Sequence, residues 1–154
     1  MVALSTVGSD ACDGVPRCLA FTANRSARDR VRAALALDGR MRCVAPASRE
    51  HLAISRHGIY SIVIIDLPSL VGDWRQDGLS LIEQWARWER AVVIACGQTE
   101  DADEEQTVRM LGAGVYLPGA PLDAAVDVAM RSWLWQTRRE IDGLGRLVGG
   151  PSAQ

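Results

Sequence analysis

Asp66 closes the run "YSIVIID" (60–66), and an acid at the end of a buried strand is well placed to be a nucleophile or a metal ligand. The other reactive side chains limit what it could do. All seventeen basic residues are Arg, so no Lys amine is available for Schiff-base chemistry or for pairing with a phosphoryl group. The cysteines are Cys12, Cys18, Cys43 and Cys96. They show no C-x-x-C spacing, and His51 and His57 complete no ligand pattern with them, so no metal site is expected. Three of them sit in apolar runs, "CLAF", "RCVA" and "VVIACG", and read as core residues. "GLGRLVGG" follows no strand, "FTANRS" is not glycine-rich, and no Gly-x-Ser-x-Gly elbow occurs. These absences argue against a dinucleotide loop, a phosphate cradle and a serine hydrolase, and no cofactor is expected.

The elements that would position Asp66 alternate along the chain. "CLAF" (18–21) reads as a strand. "SARDRVRAALALDG" reads as a helix with Ser26 and Asp29 as a capping-box-like start, an apolar stripe of Ala27, Val31, Ala34 and Leu35, and Gly39 as the stop. "MRCVAP" (41–46) is a second strand, and "SREHLAISRHG" a short helix capped by Ser48 and stopped by Gly58. "YSIVIID" is β-branched and apolar on both faces, as a central parallel strand covered on each side requires. "DGLSLIEQWARWER" predicts a helix with Leu81, Trp85 and Trp88 on one stripe. "AVVIACG" (91–97) and "VYL" (115–117) are strands flanking the helix "TEDADEEQTVRMLGAG", for which Thr99 is the expected cap and the early acids suit the helix dipole. A long last helix begins at "PLDAAV". Five strand–helix repeats predict an α/β fold, a flavodoxin-like (βα)5 doubly wound parallel sheet with strand order 2-1-3-4-5. Chemistry then gathers at the C-terminal strand ends, where Asp66 lies.

Length and composition agree with one domain: 154 residues, 48% apolar and 23% charged, with net charge −2. Such a balance gives no reason to expect direct nucleic-acid or membrane binding. Residues 1–16, rich in Ser, Gly and Asp, read as a flexible tail without signal-peptide character, 17–135 as the domain, and 136–154 as a helix extension with a flexible end. No run approaches the ~20 apolar residues that span a bilayer. Together with the reduced cysteines, this points to the cytoplasm.

"SIVIIDLPS", "DGLSLIEQ", "VVIACG" and "GAGVYLPGAP" resemble, in this order, the receiver domain of bacterial two-component response regulators. The resemblance implies that Asp66 stands at the phosphoacceptor position and Tyr116 at the switch aromatic. It also implies four helpers, and each is replaced. The acidic pair that holds Mg²⁺ falls on Thr22, Ala23 and Asn24, the hydroxyl on Cys96 and the lysine on Gly119. Asn24 offers one neutral oxygen, a weak Mg²⁺ ligand, and a thiol is a poor hydrogen-bond donor. The Gly that begins the third helix is read as Gly78, twelve residues after Asp66, so that an inserted loop carries Trp74 and Arg75 beside the pocket. Arg25 or Arg75 could pair with Asp66, and solvation of both is the simpler expectation.

The implied function is a degenerate, or pseudo-, receiver: a non-enzymatic signalling module acting by protein–protein contact with a kinase, a transcription factor or another signalling protein. Two alternatives stand beside it: a phosphoacceptor served by a histidine kinase at Asp66, or a small-ligand sensor at the vacated acidic pocket. The partner face implied is the fourth helix, fifth strand and last helix, which also offers a homodimer. Trp85 and Trp133 read as core. Trp74, Trp88 and Trp135 are candidate partner anchors, with Arg75 beside them. Leu134, Ile141 and Val148, with Thr137 and Leu144, are spaced as a short coiled seam weakened by Gly143 and Gly145. The acid run 100–105 reads as a solvated helix start or an acidic face for an Arg-rich partner.

Overall fold

The computed structural model describes residues 16–38, 41–89 and 91–148. Most of the N-terminal tail, Cys12, the Gly39 stop and the extreme C-terminus therefore lie outside the described residues. In chain order the elements are β1 (Arg17–Phe21), α1 (Arg25–Asp38), β2 (Arg42–Val44), α2 (Arg49–Ser55), β3 (Ile62–Asp66), α3 (Asp73–Ala86), β4 (Val92–Gly97), α4 (Ala102–Leu111), β5 (Val115–Pro118) and α5 (Leu122–Val148). All strand pairs are parallel, in the order β2-β1-β3-β4-β5. That is the predicted topology.

Side chains alternate across a strand, so each inner strand feeds two cores. Leu19, Phe21, Val63, Ile65, Val93 and Ala95 pack against Leu52 of α2, Leu81, Ile82 and Trp85 of α3, and Val108 of α4. Cys18, Ala20, Ile62, Ile64, Val92, Ile94 and Cys96 pack against Ala27, Val31 and Leu35 of α1 and Leu122, Ala125, Val126 and Ala129 of α5. Burying an aliphatic side chain of this size is worth roughly 1.5–3 kcal/mol, so the two apolar layers dominate the fold's stability. Trp85 is buried and Trp133 packs on the second core, as expected. Trp88 and Ala34, assigned to inner stripes, are exposed.

Three helix starts differ from expectation. Asn24, not Ser26, caps α1: its Oδ1 accepts from Ala27 N at 3.1 Å, while Ser26 Oγ accepts from Arg30. Asp101, not Thr99, caps α4, accepting from Glu104 N at 2.9 Å. A carboxylate at that place also complements the helix dipole, which a hydroxyl does not. The third helix begins at Asp73, so Trp74 and Arg75 sit in its first turn rather than in a loop, and Gly78 is a buried mid-helix residue. The extra turn is held from outside the helix. Arg49 of α2 pairs with Asp77 at 2.7 Å and Asp73 at 3.5 Å. Ser48 caps α2 as expected, accepting from His51 N.

Candidate functional site

β1 and β3 deliver Thr22 and Asp66 to one end of the sheet, and Asp66 lies opposite Cys96 in the β3–β4 register. Thr22 is fully buried, and its hydroxyl donates to Asp66 Oδ2 at 2.7 Å. Pro68 sits in the first turn of a short 3-10 segment, Leu67–Ser69, which folds the chain back over the strand end. This places Ser69 Oγ to donate to the Asp66 carbonyl at 2.9 Å, to accept from Ala23 N at 3.0 Å, and to lie 3.1 Å from Thr22 Oγ1. Asn24 N donates back to Thr22 Oγ1 at 3.1 Å, and Arg28 of α1 holds the Thr22 carbonyl at 3.2 Å. Ser69 and Arg28 were not singled out in the sequence, although "DLPS" places a hydroxyl three residues past the acid.

The arrangement is a closed hydrogen-bond knot around one carboxylate. Thr22, Ala23 and Asn24 present a hydroxyl, a methyl and an amide oxygen that is engaged as a helix cap. Among the described residues no three His, Cys, Asp or Glu side chains cluster as a metal site would require. Mg²⁺ wants six oxygen ligands in near-octahedral geometry, usually with more than one carboxylate or phosphate, and Asp66 is the sole acid of this knot. Cys96 is fully buried, and its thiol is pushed up to about 12 by burial and then by the Asp66 charge. It stays neutral and offers only a weak donor. Gly119 lies at the end of β5 with φ +66°, and a Cβ there would meet Thr99 Oγ1. A side chain at this position is therefore strained before its chemistry is considered.

Neither arginine proposed for Asp66 reaches it. Arg25 is exposed, and Arg75 turns to Glu104 of α4 at 2.7 Å. Glu104 is the unexpected residue of the molecule. It belongs to the acid run 100–105, yet it is 6% exposed. Its Oε1 accepts from Gln98 N at 2.8 Å and from the Tyr116 hydroxyl at 2.9 Å, and its Oε2 takes Arg75. Tyr116 is buried, with its ring over Gly97, where any Cβ would overlap it. Burial first, then the Glu104 bond and charge, raise the Tyr116 hydroxyl well above its ordinary value. Trp74, one residue before Arg75, stacks on buried Phe21 with ring centroids 5.6 Å apart and planes within 3°. Trp74 is thus half-buried against the core, whereas Trp135 is 58% exposed, with Arg139 over its ring at 4.4 Å.

No family model matches the chain, and no curated protein is significantly similar to it in sequence. The similarity lies in solved structures, which are response-regulator receiver domains, and the chain has their CheY-like fold. A CheY-like receiver domain from Methanospirillum hungatei JF-1 superposes with TM-score 0.64 at 14% identity, covering 81% of this chain and 98% of that one. The signal receiver domain of a DNA-binding response regulator from Colwellia psychrerythraea 34H gives 0.62 at 14% identity, covering 77% and 98%. A Francisella response-regulator receiver domain gives 0.60 at 14% identity, covering 79% and 98%.

Proposed function

We propose that this chain is a pseudo-receiver: a non-enzymatic signalling module of the bacterial two-component type that works in the cytoplasm through protein–protein contact, without phosphorylation of Asp66. One observation carries the reading. The Asp66 carboxylate is bound by the Thr22 hydroxyl at 2.7 Å at the place where phosphoryl chemistry needs a divalent cation. A phosphoryl group on Asp66 would have to break that bond. It would then find no lysine, no second acid and only the neutral Cys96 thiol, so it would lack the charge-assisted contacts that hold such a group. The ligand-sensor alternative meets the same knot, since Thr22, Ser69 and Asp66 already satisfy one another.

The partner surface in this reading is α4, β5 and α5. Met110 of α4 is 81% exposed, and Trp135 and Ile141 of α5 are 58% and 63% exposed. Exposed large apolar side chains on these elements favour a protein partner, with a second copy of this chain among the candidates. Tyr116, held inward by Glu104 and Arg75, fixes that face in one arrangement without input from Asp66. The direct test is incubation with acetyl phosphate and Mg²⁺ followed by intact mass measurement. The expected spectrum shows no phosphoryl gain. A gain that disappears in Asp66→Asn would overturn the proposal and restore the phosphoacceptor alternative.

A further inference from the structure

Cys18 and Cys43 stand directly opposite each other in the β1–β2 ladder. Both side chains face the α1–α5 side, where Cys18 is a core residue and Cys43 packs against that core. Adjacent strands run about 4.8 Å apart, inside the roughly 4.4–6.8 Å Cα separation that a disulfide spans. β2 is the edge strand of the sheet, and Cys43 is half-buried while Cys18 is 1% exposed. Cys43 is therefore the more accessible residue of the pair, and Cys18 lies sealed in the core beside it.

From this geometry we propose that Cys43 and Cys18 form an oxidisable dithiol, with Cys43 as the peroxide-reactive sulfur and Cys18 as the resolving one. The division of labour follows from the surroundings. The Cys18 thiol beside it lowers the Cys43 thiol, partial burial opposes this, and the Arg32 guanidinium of α1, anchored on the Ala45 carbonyl at 2.8 Å, adds to the lowering. The Cys43 thiol, then burial, raises Cys18. The thiolate is the reactive form, and a neighbouring Arg favours it. In the first step the Cys43 thiol gives up its proton, and the thiolate attacks one oxygen of hydrogen peroxide. The O–O bond breaks, a sulfenic acid forms, and the departing hydroxide takes up the proton released by Cys43 and leaves as water. In the second step the Cys18 sulfur attacks the Cys43 sulfur, the S–O bond breaks, and the Cys18 thiol proton leaves with the departing hydroxide as a second water. Two thiols are oxidised and one peroxide is reduced. Cys96 is the internal contrast, because it is buried against Asp66, held neutral, and has no thiol beside it in the sheet register.

The test uses the full, reduced chain. It is treated with graded hydrogen peroxide, quenched, alkylated in denaturant and mapped as peptides. The expected product is a peptide pair joined through Cys18 and Cys43, with the loss of two hydrogens, reversed by dithiothreitol, while Cys96 is alkylated throughout. Cys43→Ser should abolish the joined pair and leave Cys18 alkylatable. Cys12→Ser should leave the pair intact, and Arg32→Gln should slow its formation several-fold. The proposal is overturned if Cys43 proceeds to sulfinic acid while Cys18 remains a free thiol, if Cys12 supplies the bridge instead, or if Cys43→Ser leaves the peroxide reaction unchanged.

Discussion

Removing the Glu104 carboxylate tests the clamp between α3, α4 and β5. In Glu104→Ala three donors lose their acceptor: Arg75, Gln98 N and the Tyr116 hydroxyl. The Arg75 side chain is 33% exposed, so it can return to water, and its share is that of a partly solvated ion pair, about 1 kcal/mol. Of the two remaining donors the Tyr116 hydroxyl is buried and Gln98 N part-buried, and an orphaned buried donor costs about 1–3 kcal/mol. Water can enter the space left by the shortened side chain and brings each toward the lower figure. The expected cost is about 3 kcal/mol, which at an m-value of about 2 kcal/mol/M lowers the urea midpoint by about 1.5 M. Tyr116→Phe deletes one bond to a charged acceptor that keeps two other donors, and should cost about 1.5 kcal/mol. Because both changes remove the same bond, the double variant should cost about 1 kcal/mol less than the sum. Urea unfolding of the four proteins at neutral pH measures this. Additivity within about 0.3–0.5 kcal/mol would show that Glu104 does not hold Tyr116.

The remaining predictions concern single residues. In Gly97→Ala the new methyl overlaps the Tyr116 ring, so overpacking should cost about 1–3 kcal/mol in urea unfolding; Tyr116→Ala in the same chain should recover part of it. Tyr116 is raised above its unfolded value of about 10, so its contribution is fully present below that pH and is lost as pH rises through the folded value. Tyr116→Phe should therefore make the alkaline limb of the stability profile shallower, leaving the slope that Tyr60, Cys18 and Cys96, also raised, contribute. Asn24→Ala should cost about 1 kcal/mol as a lost helix cap, and Ser26→Ala a few tenths at most. Ile141, 63% exposed, lies on the seven-residue spacing of α5. If that seam joins two copies, light scattering should show a dimer for the full chain and a monomer for Ile141→Asp.

What could be read from the sequence depended on whether the signal was local. β3 was legible because "SIVIID" carries its own instruction: β-branched, apolar on both faces and ended by an acid. The same holds for the strand order, which follows from five strand–helix repeats. The start of α3 was not legible. Gly78 looked like a helix beginning, and the residues that stabilise the true first turn, Asp73 and Asp77, do so through Arg49 on another helix. The cap of α1 had a local signal, since Asn caps as well as Ser, but the Ser26–Asp29 pair outweighed it. Cys18 and Cys43 show no recognisable spacing because the sheet register, not the chain, brings them together. Glu104 was one of several acids in a run, and only its fold neighbours set it apart.

Under the pseudo-receiver reading, Glu104 and its partner also explain why the departures from the receiver pattern belong together. A phosphorylated receiver needs a cation, a lysine and a hydroxyl to register an arriving charge. Here the residues between Asp66 and Gly78 build an extra helical turn, and its Arg75 brings a fixed positive charge to the same end of the sheet. That charge is neutralised by a carboxylate, Glu104, which in turn holds Tyr116 over Gly97. A built-in ion pair does not depend on a phosphodonor. Under the pseudo-receiver reading, the inserted turn is what makes the lost helpers dispensable. Restoring an acid at Thr22 alone would then set two carboxylates side by side in the Asp66 knot without releasing Tyr116. The face formed by α4, β5 and α5 would keep its arrangement, because the contacts that fix it run through Arg75 and Glu104 rather than through Asp66.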